Sequence, residues 1–560
     1  MKAKWFTTFL VLTMLMVTIV PTVSAASTTH KWKFDPTINA PWALEEDEGA
    51  LDNPFDAAGL CRSNPFNTVA AYGPLGSNVD AIVGDALNNS GFSNFGCTTA
   101  QNETTIAVNP MNANNLIAGA NDYRVCCDFT GLNDGTGWAY YSFDGGATWK
   151  NVQLPGLTAE TGSAGNLKNV DSAGDPVVTF SPDGVAYYAN IVFSRVKDVS
   201  AIVVSSSKDG GKTWSAPNLF AYGSAGNYFN DKEWIAAGPN GKVVVTWTLF
   251  YQGPHGAGYL QSPIVGAFSG DYGKTWNRQS FPISDAAHPY NQGSQVQYGP
   301  DGALYVSYEA TSPLFGYTTD AMVIARSTDD GRTFTTKELA RVYDDFDCYP
   351  IFGGRQTLTD MHFRLNSYPS MSIDQSNGKI AIVWADNQGS GNCGTGAASF
   401  TGTTSNQVKL LSGTWANIGS ASVVAVTTSA QDKVFPSVSS GNGKIAVSYY
   451  TRDYGITSAA LICNLQTNPV GTQIPPVPSA RSVCMDYAAK SNSDGFGAQT
   501  RLSSESSNPF IQFADGSFIG DYSQIALGSN GVAHAAWTDF RGNPGVTAAN
   551  QDVMIQSFTP

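Results

Sequence analysis

The sequence is poor in charged residues, in metal-binding cysteine pairs and in long apolar runs. Asp, Glu, Lys and Arg make up 14% of its 560 residues, and the formal net charge is −14. A nucleic-acid partner is disfavoured, because binding phosphates requires an excess of Lys and Arg. No C-x-x-C pair occurs, which argues against a zinc site. No stretch after residue 25 is long and apolar enough to span a bilayer, so we expect no membrane span in the mature chain.

The first 25 residues have the pattern of a secretory signal peptide. Lys2 and Lys4 precede an apolar run over 6–20, and a small-residue cleavage site follows at 23–25. We therefore expect an exported protein, secreted or at the cell surface, whose mature chain starts near Ala26. An uncleaved anchor is the alternative, although the apolar run is short for a spanning helix.

Eight cysteines, an even number, favour disulfide bonds in an exported chain. Two pairs are predicted because each brackets an apparent loop insertion. Two further cysteines are adjacent, so each is expected to reach a different partner. The predicted pairs are Cys463 with Cys484, Cys348 with Cys393, and Cys126 and Cys127 with Cys61 and Cys97.

A motif of eight residues, S-x-D-x-G-x-T-[WF], occurs four times at a spacing of about 60 residues. Gly allows backbone angles that other residues avoid, and Ser and Asp hydrogen-bond to the turn's own N–H groups. The aromatic residue offers a large apolar face to bury. Each octad is thus predicted to form a tight turn within a repeated supersecondary unit. The octads are 142–149, 207–214, 269–276 and 327–334.

A second repeat consists of a short strand, a turn with Pro, Asn or Gly, and a β-rich strand. Asn-Gly or Asp-Gly between alternating apolar runs is the strongest short-range hairpin signal. Each copy is predicted to form the inner two strands of a four-stranded blade. The first four copies are each followed by an octad, and 411–415 is a candidate remnant of a fifth. The seven copies are 103–120, 175–192, 231–248, 295–309, 369–386, 436–450 and 521–539.

The octads resemble the Asp-box of the sialidase-like (BNR-repeat) β-propellers, over roughly residues 100–560. In that family the box joins the third and fourth strands of a blade, on the face opposite the active site. The resemblance implies an all-β fold with a single propeller of four-stranded blades over 101–560. The hairpin count favours seven blades, and six, the number in catalytic sialidases, is the alternative. Residues 26–100 are predicted to form an N-terminal arm that packs on the propeller and supplies a closing strand.

This polarity places the ends of the second strands and the starts of the first strands together at one mouth. Loops on one face of a rigid scaffold are where functional sites are usually built. Second-strand ends contribute Asp122, Tyr123, Arg124, Glu309, Asp386, Arg452, Asp453, Asp539, Phe540 and Arg541. First-strand starts contribute Glu103, Asp175, Asp231, Lys232, Glu233, Asp521 and Tyr522. An insertion over 343–364 adds Asp344, Asp345, Asp347, Asp360, His362 and Arg364.

The resemblance also implies a chemistry for the mouth. Sialidase-like catalysis uses three Arg to bind the substrate carboxylate, a Tyr nucleophile activated by Glu, and an Asp acid/base. The predicted catalytic residues are Tyr522 or Tyr123 as nucleophile, Glu309, Glu103 or Glu233 as its base, and Asp175 or Asp231 as acid. The predicted substrate-binding residues are Arg124, Arg452 and Arg541, with Asp122 and Asp539 beside them. Structural ion pairs of these arginines with Asp122, Asp453 and Asp539 are the alternative.

The chain lacks the Phe-Arg-x-Pro element of catalytic sialidases, and Phe363-Arg364 is its nearest match. Acid/base glycoside hydrolysis by paired carboxylates, with Asp175 and Asp521 as candidates, is therefore a second enzymatic interpretation. A non-catalytic surface propeller that binds a glycan or a protein is the third. We expect a monomer acting on a glycan or glycoconjugate, with no cofactor. No metal site is predicted from the scattered histidines, and a structural Ca²⁺ held by carboxylates stays open.

Overall fold

The structure is a computed structural model, and the residues that it describes cover most of the predicted propeller. They are 77–83, 100–125, 135–194, 197, 199–223, 228–252, 259–277, 280–315, 319–455, 463, 466–467, 473–474, 482–510, 516, 518–541 and 551–560. The predicted signal peptide, most of the predicted N-terminal arm, and Cys61, Cys97, Cys126 and Cys127 lie outside these residues.

The described chain begins with β1 (Val79–Asp80) and continues as consecutive antiparallel sheets, which we call blades 1 to 7. Blade 1 is β2 (Gln101–Val108), β3 (Leu116–Asp122), β4 (Thr136–Ser142) and β5 (Lys150–Gln153). Blade 2 is β6 (Ser172–Phe180), β7 (Ala186–Phe193), β8 (Ser200–Ser207) and β9 (Asn218–Gly223). Blade 3 is β10 (Tyr228–Ala237), β11 (Val243–Gln252), β12 (Tyr259–Gln261), β13 (Ile264–Ser269) and β14 (Phe281–Pro282), with β12 as an extra strand beside β11.

Blades 4 to 7 repeat this order. Blade 4 is β15 (Asn291–Tyr298), β16 (Leu304–Thr311), β17 (Asp320–Ser327) and β18 (Thr335–Arg341); a small hairpin, β19 (Ile351–Phe352) and β20 (Arg355–Gln356), follows it. Blade 5 is β21 (Ser370–Ile373), β22 (Ile380–Asp386), β23 (Gln407–Gly413) and β24 (Val424–Ala425). Blade 6 is β25 (Lys433–Gly441), β26 (Lys444–Thr451), β29 (Asp486–Ser491) and β30 (Thr500–Arg501), and its long insertion holds the hairpin of β27 (Gln466–Thr467) and β28 (Gln473–Ile474). Blade 7 is β31 (Gln524–Leu527), β32 (Ala533–Asp539), β33 (Asp552–Phe558) and β1.

Helical structure in the described residues is limited to short 3₁₀ turns in the connections. They are Tyr123–Val125, Gly165–Asn169, Pro239–Gly241, Pro313–Phe315, Ile418–Ser420 and Asn492–Asp494. Within the part of the chain that the structure describes, no helix has the length and apolar character needed to cross a membrane.

The blades form a seven-bladed propeller, as the hairpin count predicted, and the six-bladed alternative is wrong. Each of the seven predicted hairpins is the inner strand pair of one blade. Blade 7 is completed by β1, in which Val79 pairs with Ile555 of β33. A strand from the start of the described chain thus supplies the outer strand of blade 7 and closes the ring.

The second strands are deeply buried because neighbouring blades cover both of their faces. Every residue of β3, β16, β22 and β32 is buried. Trp247, Trp384 and Trp537 lie in the second strands of three blades and are almost fully buried. Their indole N–H groups donate to Asn230, Asp386 and Asp539 respectively, so that burial leaves no indole donor unsatisfied.

The octads form the predicted turns between the third and fourth strands. In octad 207–214, the Ser207 hydroxyl donates to Asp209 Oδ1 (2.8 Å) and accepts from Gly211 N (2.9 Å). Asp209 also accepts from the Thr213 N–H and hydroxyl at 3.0 and 2.6 Å. The Trp214 indole closes the turn on Gly211 O (3.1 Å). Gly211 has φ = 94°, a backbone angle that explains the requirement for Gly at this position.

Strand register separates two rims of the propeller. In blade 1, Ser142 at the start of an octad pairs with Leu116, which pairs with Val108 at the end of the first strand. At the opposite end of the same sheet, Asp122 pairs with both Gln101 and Thr136. The octads therefore lie at one rim, which we call the octad rim, and the starts of the first strands lie at the other, the mouth rim.

Octad aspartates should make the protein sensitive to acid. Hydrogen bonds from Thr148 hold the pKa of Asp144 at about 2, and hydrogen bonds from Thr275 hold that of Asp271 at about 2. A folded-state pKa below the unfolded value stabilises the fold above pH ~4, and this stabilisation disappears as pH falls towards 2. We expect Tm, followed by circular dichroism, to fall steeply between pH 4 and 2. A Tm that stays constant over this interval would contradict the contribution of the octads.

Two of the predicted disulfides are present in the described residues. Cys348 is bonded to Cys393 and Cys463 to Cys484, as the loop-bracketing argument predicted. The first bond joins the insertion over 343–364 to the loop that follows the second strand of blade 5. The chain is thereby cross-linked on the mouth rim.

Candidate active site at the mouth of the central pocket

The first strands of five blades contain a bulge at the same position. In β2, β6, β10, β15 and β25 the pairing with the second strand skips two residues. One residue in each bulge has a positive φ, between 48° and 67°. Residues other than Gly rarely adopt a positive φ. Bulges that contain them change the direction of side chains and are common next to functional sites. The five residues are Glu103, Asp175, Lys232, Gly293 and Phe435.

The bulges bring residues of different blades together in a cluster around one amine. Lys232 Nζ lies 2.5 Å from Asp521 Oδ2, 2.9 Å from Asp175 Oδ2 and 3.4 Å from Glu103 Oε1. Asn121 joins two of these residues, because it donates to Glu103 Oε2 (2.8 Å) and accepts from the Asp175 N–H (2.7 Å). We call Lys232, Glu103, Asp175 and Asp521 the Lys232 cluster. It unites blades 1, 2, 3 and 7 at the mouth rim, and all four residues are buried.

Arg364, from the insertion over 343–364, adds a second cation beside the Lys232 cluster. Its guanidinium group donates from Nε to Asp521 Oδ1 (2.8 Å) and from Nη2 to Oδ2, which is a bidentate pair. Asn366 Nδ2 donates to the Asp521 carbonyl (3.0 Å). The segment that carried the nearest match to Phe-Arg-x-Pro thus reaches the same carboxylate as Lys232.

The cluster separates the pKa values of its carboxyl groups. Burial and the nearby Asp175 carboxylate raise the pKa of Glu103 well above its usual range. Burial alone would also raise the pKa of Asp521, but Arg364 and Lys232 hold it well below its usual range. One carboxyl group therefore favours the protonated form while its neighbour stays ionised, which is the arrangement that acid/base chemistry requires.

Glu233 is the most isolated carboxyl group of the site. Its residue is 2% exposed, and within the described residues neither carboxylate oxygen has a hydrogen-bond partner. Burial, reinforced by the Asp175 carboxylate, raises its pKa well above the usual range. Burial of this kind favours the protonated form of the carboxyl group, the form that can give a proton to a bound molecule.

A pocket of about 470 Å³, including its open mouth, lies against these groups. The first strands of blades 3, 4 and 6 and the segments that lead into blades 5 and 7 form its wall. Aromatic rings contribute much of this wall: Trp234, Tyr368, Phe435 and Tyr522. Gly293 belongs to the wall too, and a Cβ there would lie 2.4 Å from the Tyr368 ring, so Tyr368 occupies the space that a side chain would fill.

Tyr522, the predicted nucleophile, lies in this pocket wall. Its hydroxyl donates to the Pro176 carbonyl at 3.2 Å, and its ring contacts that of Trp234 edge-on at a centroid distance of 6.1 Å. Burial and the charge of Glu103 raise its pKa well above 10. Tyr522 is therefore a neutral phenol in this arrangement, and its role as nucleophile stays a prediction.

The three predicted substrate-binding arginines are each held by a carboxylate of their own region. Arg124 forms a bidentate pair with Asp122, and its guanidinium carbon lies 4.1 Å from the Trp138 ring centroid. Arg541 pairs in the same way with Asp539 (2.7 and 3.0 Å). They lie at equivalent strand ends of blades 1 and 7, and their role in substrate binding stays a prediction.

Arg452 differs from the expected ion pair with its neighbour in sequence. It pairs with Asp432 at 2.9 Å and donates to the Ser482 and Thr359 carbonyls. Asp453 instead accepts from Lys433 at 3.0 Å. Successive residues at a strand end point to opposite sides. Arg452 and Asp453 therefore face away from each other and pair with different residues.

Two further predicted catalytic residues lie at the edge of the site. Asp231 directly precedes Lys232 in β10, is buried, and accepts from Gln292 Nε2 at 3.4 Å. Glu309 lies in β16 and forms a group with Asp320 and Asp344, outside the Lys232 cluster. The structure thus brings Asp175 and Tyr522 together near the pocket and places Glu309 elsewhere on the mouth rim.

Lys232 and Arg364 were named at the mouth from the sequence but were assigned no role. A signal for Lys232 was present, because it occupies the bulge position that Glu103 and Asp175 hold in the first two blades. Aligning the hairpins on this position, instead of on their turns, would have grouped all three residues. For Arg364 the signal was its place in Phe363-Arg364, the nearest match to Phe-Arg-x-Pro.

No protein-family model matches the chain, and no curated protein matches it. Solved structures with similarity include an α-L-arabinanase of Penicillium chrysogenum, with 12% identity, TM-score 0.41 and coverage of 86% of this chain and 97% of that one. A Hadza microbial sialidase has 11% identity and TM-score 0.42, covering 79% and 76%. The α-L-arabinofuranosidase of Fusarium graminearum has 11% identity and TM-score 0.40, covering 87% and 98%. The seven-bladed architecture described above rests on the strand pairing of this chain itself.

Proposed function

We propose that this chain is an exported, monomeric propeller that hydrolyses glycosidic bonds in its central pocket, at the rim opposite the octads, which we interpret as Asp-boxes. The observation that carries the proposal is Glu233 in the pocket wall, a buried carboxyl group whose two oxygens have no hydrogen-bond partner within the described residues. Burial and the nearby Asp175 raise its pKa. Glycosidases need one carboxylic acid to protonate the leaving oxygen and a second, ionised carboxylate.

The carboxyl groups suggest distinct roles. Glu233 donates its proton to the glycosidic oxygen as the C–O bond breaks. Asp175 accepts a proton from the attacking water, and ionised Asp521 opposes the positive charge that develops on the sugar. This paired-carboxylate chemistry is favoured over a Tyr522 nucleophile, because the phenol is neutral and donates to a carbonyl.

The charges of the site favour a neutral sugar over a sialic acid. Lys232 and Arg364 are both engaged by Asp521, and Arg124, Arg452 and Arg541 each bind a carboxylate of the protein. A substrate carboxylate would have to compete with these pairs. The rings of Trp234, Tyr368 and Tyr522 offer the apolar surface on which the faces of neutral sugars stack.

A panel of chromogenic and natural glycans tests the proposal. We expect the mature protein to release reducing sugar from at least one neutral oligosaccharide, including arabinose-, galactose- and glucose-based chains, and to leave sialosides intact. Release of sialic acid would contradict the neutral-sugar assignment and support the sialidase-type arrangement. No product from any glycan between pH 4 and 8 would contradict hydrolysis.

The alternative is a surface propeller that binds a glycan or a protein without changing it. The observation in its favour is that the arginines of the mouth rim are bound in ion pairs, as in a structural rim. A glycan array distinguishes the two proposals. Recovery of the bound ligand unchanged supports the binding protein, and recovery of shortened chains supports the hydrolase.

A further inference from the structure

A second group of acidic side chains lies on the mouth rim, in blade 4 and away from the Lys232 cluster. Glu309 is in the second strand of the blade, Asp320 begins the third strand, and Asp344 follows the fourth. Strand pairing places these positions side by side, because Asp320 pairs with Thr311 and the Val342 N–H donates to the Asp320 carbonyl. All three residues are buried.

The spacing of the three carboxyl groups suits one hard cation. One oxygen atom from each lies within 4.8 Å of the others. Ca²⁺ binds carboxylate oxygens at about 2.3–2.6 Å, so ligands around one ion lie up to about 5 Å apart. Mg²⁺ prefers shorter distances and keeps most of its water, which fits three converging protein carboxylates less well.

A second observation concerns Asp344 alone. The residue is 7% exposed, and within the described residues its Oδ1 has no hydrogen-bond partner. A buried carboxylate oxygen without a donor is destabilising unless a cation or another group satisfies it. We propose that Glu309, Asp320 and Asp344 bind one Ca²⁺ ion. The reaction proposed for the central pocket does not depend on this ion.

The proposed ion would hold the insertion that supplies the pocket. Asp344 lies at the start of the insertion, where its carbonyl accepts from Gln356, and the same segment ends with Arg364 on Asp521. Fixing Asp344 to two strands of blade 4 would therefore set the starting point of the loop that carries Arg364. The ion acts as a structural link, without contact with substrate.

Calcium binding to the purified mature protein tests this inference. After removal of metal with EGTA, we expect titration calorimetry to find one Ca²⁺ per chain and saturating Ca²⁺ to raise Tm by roughly 2–5 °C. Mg²⁺ at the same concentration should have a smaller effect. No heat and no Tm change with Ca²⁺ would overturn the proposal, as would a response to Mg²⁺ that equals or exceeds the response to Ca²⁺.

The variant Asp344→Asn separates loss of binding from loss of folding. It removes one of three like charges, so its Tm in EGTA should equal or exceed that of the wild type. Its affinity for Ca²⁺ should fall at least about 10-fold, with loss of the Tm increase. Glu160→Gln, at an exposed position, should keep the full response. A calcium response that persists in Asp344→Asn would place the ion elsewhere and refute this site.

Discussion

Replacing Lys232 by Met is expected to lower the free energy of unfolding by about 3–5 kcal/mol, one of the two largest effects that we predict. The side chain is 5% exposed, and its amine contacts three carboxylates from other blades. Met keeps the length and β-carbon of Lys, so the strain of φ = 48° is unchanged and the loss is electrostatic. Removing the cation leaves buried carboxylates uncompensated, which destabilises the fold by far more than the intact ion pairs stabilise it.

The pH dependence of this variant gives the diagnostic readout. Without the amine, the pKa of Glu103, which burial and Asp175 already raise, rises further above its unfolded value because Lys232 no longer lowers it. The folded variant then binds more protons than the unfolded chain, so its defect should shrink as pH falls from 8 to 5. Urea unfolding at both pH values measures this difference. A defect of equal size at both would contradict the role of Lys232 as the counter-ion of the cluster.

Lys242→Met provides the matched control for this experiment. Lys242 pairs with a single carboxylate, Asp330 at 2.5 Å, and the two side chains are 33% and 37% exposed. Exposed pairs of this kind contribute about 0–1 kcal/mol. We expect a small, nearly pH-independent change in this control, so that any larger effect at Lys232 reflects burial and the number of its partners.

The architecture was predictable because its signals are local. Asn-Gly and Asp-Gly turns fix each inner hairpin, and the octads fix the turns between outer strands, so counting hairpins was enough to count blades. Cys348 and Cys463 could be paired with their partners because each pair brackets an insertion into a regular repeat. Strand order then set which residues share the mouth rim.

The contacts inside the mouth were not predictable, because they depend on the backbone at the bulges. Glu103, Asp175 and Lys232 adopt a left-handed conformation that their residue types rarely favour, so sequence alone gives no reason to expect it. The bulge turns Lys232 towards carboxylates 57 and 129 residues away in sequence. Arg452 illustrates the same limit at a strand end, since its partner is Asp432 and not the adjacent Asp453.

The second large effect is expected from Glu233→Gln, which should lower kcat by about 10²–10⁴-fold on the glycan that the wild-type protein hydrolyses. Gln has the size and neutrality of a protonated Glu but has no acidic proton to give to a leaving oxygen. Burial and Asp175 raise the pKa of Glu233 and so favour its neutral form, which Gln resembles, and the substitution should therefore leave Tm nearly unchanged. Loss of activity with an intact fold is therefore the expected result.

The pH profile of the wild-type protein should carry the signature of the same group. A general acid is active in its protonated form, so kcat should fall as pH rises through the elevated pKa of Glu233. The residual activity of Glu233→Gln should lack this alkaline limb. Glu160→Gln, the same substitution at an exposed position, should keep both the rate and the profile. Retention of wild-type kcat in Glu233→Gln would remove Glu233 as the acid and leave the hydrolase proposal without the observation that carries it.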